Sequence, residues 1–248
     1  MADNFTFDSK KHAYTLEGKP MMGVTSVLSI IAKPALVGWS AKMVCEYIKN
    51  NCLVTHIPET ELNGYIVSEE DLVKAQVHHV RKKENAGQKG NDTHAEIEGY
   101  VKYCIKHSDG WAKPESEDDM YDVDGSAGLK SFILWATLNN IKFRDSEKRM
   151  YSKEWWVAGT ADLFFEKDGK TYCGDIKTMK KLWDNTPFIQ CAAYSKMIFE
   201  SEGTKIDGVC IINIPKETNQ VETFYRYDLE GDTKAFEAAL TLYKAVNN

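Results

Sequence analysis

Two apolar runs joined by Glu166-Lys167-Asp168-Gly169-Lys170 place the tightest constraint on how this chain can fold. Asp-Gly favours a two-residue hairpin loop, because both residues tolerate the positive φ of a turn that matches strand twist. With Asp168 and Gly169 as the loop, VAGTADLFFE and KTYCGDIK become antiparallel neighbours. Counting back from the turn sets Asp162 opposite Asp175. Directly opposed side chains stand about 4.5–5.5 Å apart at Cβ, and like charges placed so repel. Such a pair calls for a shared proton or a cation between the carboxylates. Oxygen ligands of this kind suit Mg²⁺ or Mn²⁺. A longer loop would shift the register and turn one carboxylate to the other face.

Strand periodicity adds a third group. Asp175 and Lys177 lie two apart and share a face, while Ile176 points into the core. An ammonium fixed beside a metal-held carboxylate can orient a water and stabilise charge growing on a phosphate. A surface Asp–Lys pair alone would mean little; the opposed Asp162 gives this one its weight. Gln190 and Tyr194 are i,i+4 neighbours on the helix read through FIQCAAYSKMIFE, and His94 and Glu98 are spaced the same way on an earlier helix.

The surrounding pattern predicts a mixed sheet with helical cover, an α/β or α+β domain. The N-terminal HAYTLEGKPMMGVTSV reads as a hairpin turning near Glu17-Gly18, followed by a helical stretch. Pro34 opens a helix through ALVGWSAKMVCEYIKNN, where its missing N–H costs little. Residues 69–84 read as a helix capped by Ser68. Gly87 and Gly90 are expected to break it, with a new helix capped within Asn91-Asp92-Thr93. Residues 108–123, acidic and containing Pro114, read as a loop. A helix over roughly 125–139 presents Leu129, Phe132, Ile133 and Leu138. Strands follow to 176, then a helix, two further strands and a final helix near 232–246. The division expected is a hairpin and helical portion at 1–89, helping to bind DNA, and a core at 90–248.

Totals exclude several classes. With 43% hydrophobic and 27% charged residues, most of the length should be ordered. No apolar run reaches the roughly 18 residues of a membrane span, and MADNFTFDSKK lacks a signal core. Six scattered cysteines without a CxxC pair read as reduced thiols, not a zinc or disulfide framework, which fits a cytoplasmic setting. A net charge of −6 argues against coating nucleic acid by bulk electrostatics. Local basic runs remain: Lys142, Arg144, Lys148, Arg149 and Lys153, then Lys177, Lys180 and Lys181.

In order and separation, SEKRMYS, GTADLFF, GDIKT and QCAAY resemble the RecB-type branch of the PD-(D/E)xK nucleases, which includes phage exonucleases. The likeness is dense from Gly90 to about Phe199, less specific in YTLEGKPMMGVTSVL and KPALVGWSAK, and absent beyond about 200. It implies a restriction-endonuclease-like core, with Asp162 and Asp175 as metal-binding acids and Lys177 as the catalytic lysine. It further implies that His94 and the Ile176 carbonyl complete the metal site. Gln190 and Tyr194 match the family's QxxxY motif, and Glu147 matches an acid entering the first strand. The cysteine cluster of some relatives is missing, so no iron–sulfur centre is expected. Trp155-Trp156 either stacks on unpaired bases or packs the core; Trp155 is counted with Lys148, Arg149, Lys153, Lys180 and Lys181 as DNA-contacting. The activity implied is Mg²⁺- or Mn²⁺-dependent exonucleolytic hydrolysis of DNA with single-stranded character. The alternatives are a structure-selective endonuclease and a catalytically silent DNA-binding protein.

Overall fold

The computed structural model describes residues 3–31, 34–60, 63–113 and 125–247. They form two compact units, one of residues 1–31 and 92–248, the other of residues 32–91.

The larger unit is built on one mixed sheet. Strand β1 (Phe5–Asp8), β2 (Ala13–Leu16) and β3 (Lys19–Gly23) form an antiparallel meander. Glu17 and Gly18, at φ 50° and 71°, make the tight turn expected there. After α1 (Val24–Leu28), and later in the chain, come β6 (Lys142–Ser152), β7 (Val157–Lys167) and β8 (Lys170–Lys177). Asp168 and Gly169, at φ 51° and 72°, are the loop between β7 and β8, and Lys167 pairs with Lys170. The two-residue register therefore holds. Helix α5 (Thr186–Glu202) carries the chain to β9 (Gly208–Asn213), parallel to β8, and β10 (Glu222–Arg226) returns antiparallel. The chain closes with α6 (Glu230–Asn247).

Alternation along β9 shows why the sheet is covered twice. All six of its residues are buried. Val209 and Ile211 pack with α5, α6 and α1, whereas Cys210 and Ile212 pack with α4 (Ala127–Leu138) and Ile97, Tyr100 and Val101 of α3 (Glu69–His107). Successive side chains of a strand point to opposite faces, so an unbroken apolar run needs cover on both. The cysteines are free thiols, and Cys104, Cys173, Cys191 and Cys210 are buried among these apolar contacts.

The smaller unit holds α2 (Pro34–Asn51), the hairpin of β4 (Leu53–His56) and β5 (Asn63–Ile66), and the start of α3. Ser68 caps α3 as expected: its Oγ accepts from the Asp71 amide at 3.1 Å and donates to the Asp71 carboxylate at 2.6 Å.

Four expectations need correction. Gly87 and Gly90 do not break the helix; α3 runs through both for 39 residues. Each glycine costs only about 1 kcal/mol in a helix, and the neighbouring Glu, Ala, Gln and Lys favour one. The boundary at 89/90 lies near the observed one, but residues 1–31 belong with the core, because β3 pairs with β7. Leu138 is exposed at the end of α4 and takes no part in the core. Strands β1, β4 and β5 were not expected. Most of the acidic loop expected over 108–123 lies outside the described residues. Among the described residues no helix is long and apolar enough to cross a membrane.

Candidate active site

Strand β7 is paired along one edge by β6 and shared on the other by two strands. Val157 and Ala158 pair with β3, and Leu163 to Lys167 pair with β8. Between them, Gly159 to Asp162 have no strand partner on that edge among the described residues. Strand β8 peels away after Gly174 and continues beside β9 to Lys177. The two acids fall where the strands part. Asp162 bridges the opening, with its Oδ2 accepting from the Ile176 amide at 2.8 Å. Asp175, the next residue beyond the last paired position, points toward Gln190 of α5.

Asp175 is 1% exposed, and its partners all come from the groups singled out by spacing. Its Oδ1 accepts from Lys177 Nζ at 2.7 Å and from Gln190 Nε2 at 3.2 Å. The same Gln190 amide donates to the Tyr194 hydroxyl at 3.2 Å. Asp175 Oδ2 lies 2.6 Å from Lys177 Nζ but accepts no well-directed hydrogen bond. Burial pushes the Asp175 carboxyl up, Lys177 pulls it back, and Asp162 pushes it up again. Burial also works against charge on Lys177, but Asp175 and Asp162 more than offset it. Lysine stays protonated; the carboxylate is the member that takes up a proton first.

Tyr194 reaches the site because Gly159 has no side chain. A Cβ there would stand 2.5 Å from Tyr194 Cε1. Gly159→Ala is expected to displace the ring, destabilise the fold by roughly 1–3 kcal/mol as overpacking does, and loosen Gln190. Denaturant unfolding against wild type measures the loss; an unchanged midpoint would show that the ring yields freely.

His94 arrives from α3. Its Nδ1 is 3.8 Å from Asp162 Oδ2, and the nearby Ile176 backbone favours the charged form of the ring. Burial holds this imidazole below its ordinary range against the pull of Asp162, leaving it neutral and able to act as a ligand. Glu147 of β6 stands across from Asp162 of β7, where the ladder skips from Ser146–Leu163 to Lys148–Ala161. Its φ of 52° is a left-handed conformation that a non-glycine strand residue rarely adopts. Partial burial, then the charges of Asp162 and Glu98, push its carboxyl up to about 7. The residue is exposed overall, so the two charges are the firmer cause.

Among the described residues no three His, Cys, Asp or Glu side chains stand together at ligating distances. The donor chemistry nonetheless fits a hard divalent cation: two carboxylates, one with a buried oxygen lacking a hydrogen bond, a neutral imidazole and the Ile176 backbone. The Ile176 side chain is buried in the opposite core, as the alternation predicts.

The basic and aromatic candidates divide. Trp155 is a correction: it is 6% exposed, with its ring 5.0 Å from Phe236, so it packs the core and cannot stack on a base. Lys148 is held by Asp145 at 3.0 Å and Glu202 at 2.8 Å, and Lys153 by Asp3 at 2.7 Å. Arg149, Lys180 and Lys181 are exposed. Lys181 sits 4.1 Å from the ring centroid of Trp183, which is 62% exposed just beyond β8. Trp183 was missed, since nothing in its local sequence separates it from a core tryptophan.

No family model matches the chain, and no curated protein matches it. Among solved structures, the crystal structure of SSO0001 is similar over 62% of this chain and 87% of its own, at 13% identity and a TM-score of 0.27. A likeness that low carries no argument.

Proposed function

We propose that this chain is a metal-dependent deoxyribonuclease that hydrolyses phosphodiester bonds from DNA ends, favouring single strands. One observation carries the reading: Asp162 and Asp175 each lie one residue past the last β7–β8 pair, where the strands part, with Asp162 bound to the Ile176 amide and Lys177 and Gln190 both bound to Asp175. His94, Asp162, Asp175 and the Ile176 carbonyl would hold Mg²⁺ or Mn²⁺. When bound, such an ion polarises a phosphate oxygen and acidifies a water. Lys177, held by Asp175, aims that water and offsets charge growing on the phosphate. Gln190 fixes the Asp175 carboxylate, and Tyr194 fixes Gln190. Arg149, Lys180 and Lys181 supply phosphate contacts that position the strand without reading its sequence. Free thiols throughout support a reducing, cytoplasmic setting.

Linear and circular DNA, single and double stranded, each with Mg²⁺ or Mn²⁺, test the reading. Digestion confined to linear substrates is expected, fastest on single strands. Cutting of closed circles would replace the exonuclease with an endonuclease. No cleavage of any substrate would leave a silent DNA-binding protein.

A further inference from the structure

We infer that the N-terminal hairpin forms one wall of a subsite for the nucleotide adjoining the scissile phosphate, with Arg149 as its phosphate contact. This rests on the nuclease reading above and adds to it the N-terminal hairpin, which that reading did not need.

The unpaired stretch of β7 opens onto a cleft of about 190 Å³. Asp162, Thr160 and Gln190 line one side, and His12, Tyr14 and Thr25 line the other. The cleft arises because β3 and β8 share an edge of β7 without meeting. Its walls are joined by a hydrogen bond between the Tyr14 and Thr160 hydroxyls, at 2.9 Å. Sites that enclose a whole small molecule run to about 300–1,000 Å³. A cleft below that range suits a single nucleotide of an unpaired strand.

Cross-strand register places the cation. Arg149 pairs with Thr160, and Met150 beside it packs in the α5-side core, so the Arg149 side chain leaves the face that carries Phe7 and Tyr14, beside the unpaired stretch of β7. Among the described residues it pairs with no carboxylate, unlike Lys148 and Lys153. Its guanidinium lies 4.7 Å from the centroid of the Phe7 ring, which in turn packs 5.2 Å from His12 and 4.6 Å from Tyr14. A planar fork held flat on an aromatic ring keeps its N–H edges free, the geometry that suits a phosphate. His12, exposed at φ 48°, borders the cleft beside it and offers a ring to a sugar or base.

The test measures anisotropy of a labelled oligothymidylate of about 20 nucleotides in Ca²⁺, together with kcat and KM for its hydrolysis in Mn²⁺. Arg149→Ala is expected to weaken binding by about tenfold, the scale of one charged hydrogen bond. It should lower the salt slope by about one phosphate contact and raise KM with kcat little changed. Arg149→Lys should recover the salt slope but only part of the affinity, and Phe7→Leu should weaken binding without changing the slope. A structural role for Arg149 would not move the salt slope. Wild-type binding unaltered in Arg149→Ala overturns the subsite and leaves the nuclease reading standing. Wild-type protein that neither binds nor cleaves DNA overturns both.

Discussion

Asp175→Asn is expected to lower Mn²⁺-dependent hydrolysis of linear single-stranded DNA by about 10³-fold or more, which corresponds to roughly 4 kcal/mol of barrier. Asparagine keeps the shape and can still accept from Lys177 or Gln190, so the hydrogen bonds of the site survive in part. What disappears is the negative charge that opposes Asp162 across the strands. Two stability effects then act against each other. Asparagine relieves a buried carboxylate whose pKa burial has raised, a relief present above that pKa and absent below it. Lys177 loses its partner, but its side chain is 26% exposed and can reach water. The unfolding midpoint should therefore stay near that of wild type, so lost activity reports chemistry and not unfolding. Metal binding gives a second readout. At about 100 times Kd a bound ion adds about 2.7 kcal/mol, a rise of roughly 5–10 °C for a chain of this size. Wild type should show that rise with Mn²⁺ and Asp175→Asn little of it. Full activity in the variant would clear Asp175 of the role.

Lys177→Met separates the lysine from the metal. Truncating one member of a buried pair costs about 3–5 kcal/mol, because the other charge is left unpaired. Here that charge is Asp175, almost wholly enclosed. Its folded pKa, already raised, rises further without the ammonium. Folded stability is then greatest below that pKa and falls as pH rises through it. The variant should melt well below wild type at pH 8 and approach it at pH 5. Mn²⁺ supplies positive charge to the same carboxylates, so its stabilising effect should be larger than in wild type. Hydrolysis should still fall by about 10²-fold or more, the scale of losing one oriented donor at the transition state. Equal melting shifts at both pH values, or Mn²⁺ stabilisation no greater than wild type, would show that the lysine does not hold the charge of Asp175.

Local chemistry alone determined the β7–β8 hairpin. Asp168-Gly169 favours a two-residue turn, that turn sets the register, and the register brings Asp162 and Asp175 to the point where β7 and β8 part, with Lys177 two residues on. The covered sheet was legible for the same reason, since strands that are apolar without a break need cover on both faces. Long-range packing decided the rest. Glycine is a weak helix breaker, so the continuity of α3 depends on its surroundings. A tryptophan looks the same in sequence whether it meets Phe236 or solvent, so Trp155 was misplaced and Trp183 overlooked. The left-handed backbone of Glu147, the space Gly159 leaves for Tyr194, and the docking of the N-terminal hairpin on β7 join residues far apart in the chain. No local signal encodes such contacts, because each depends on where another element comes to rest.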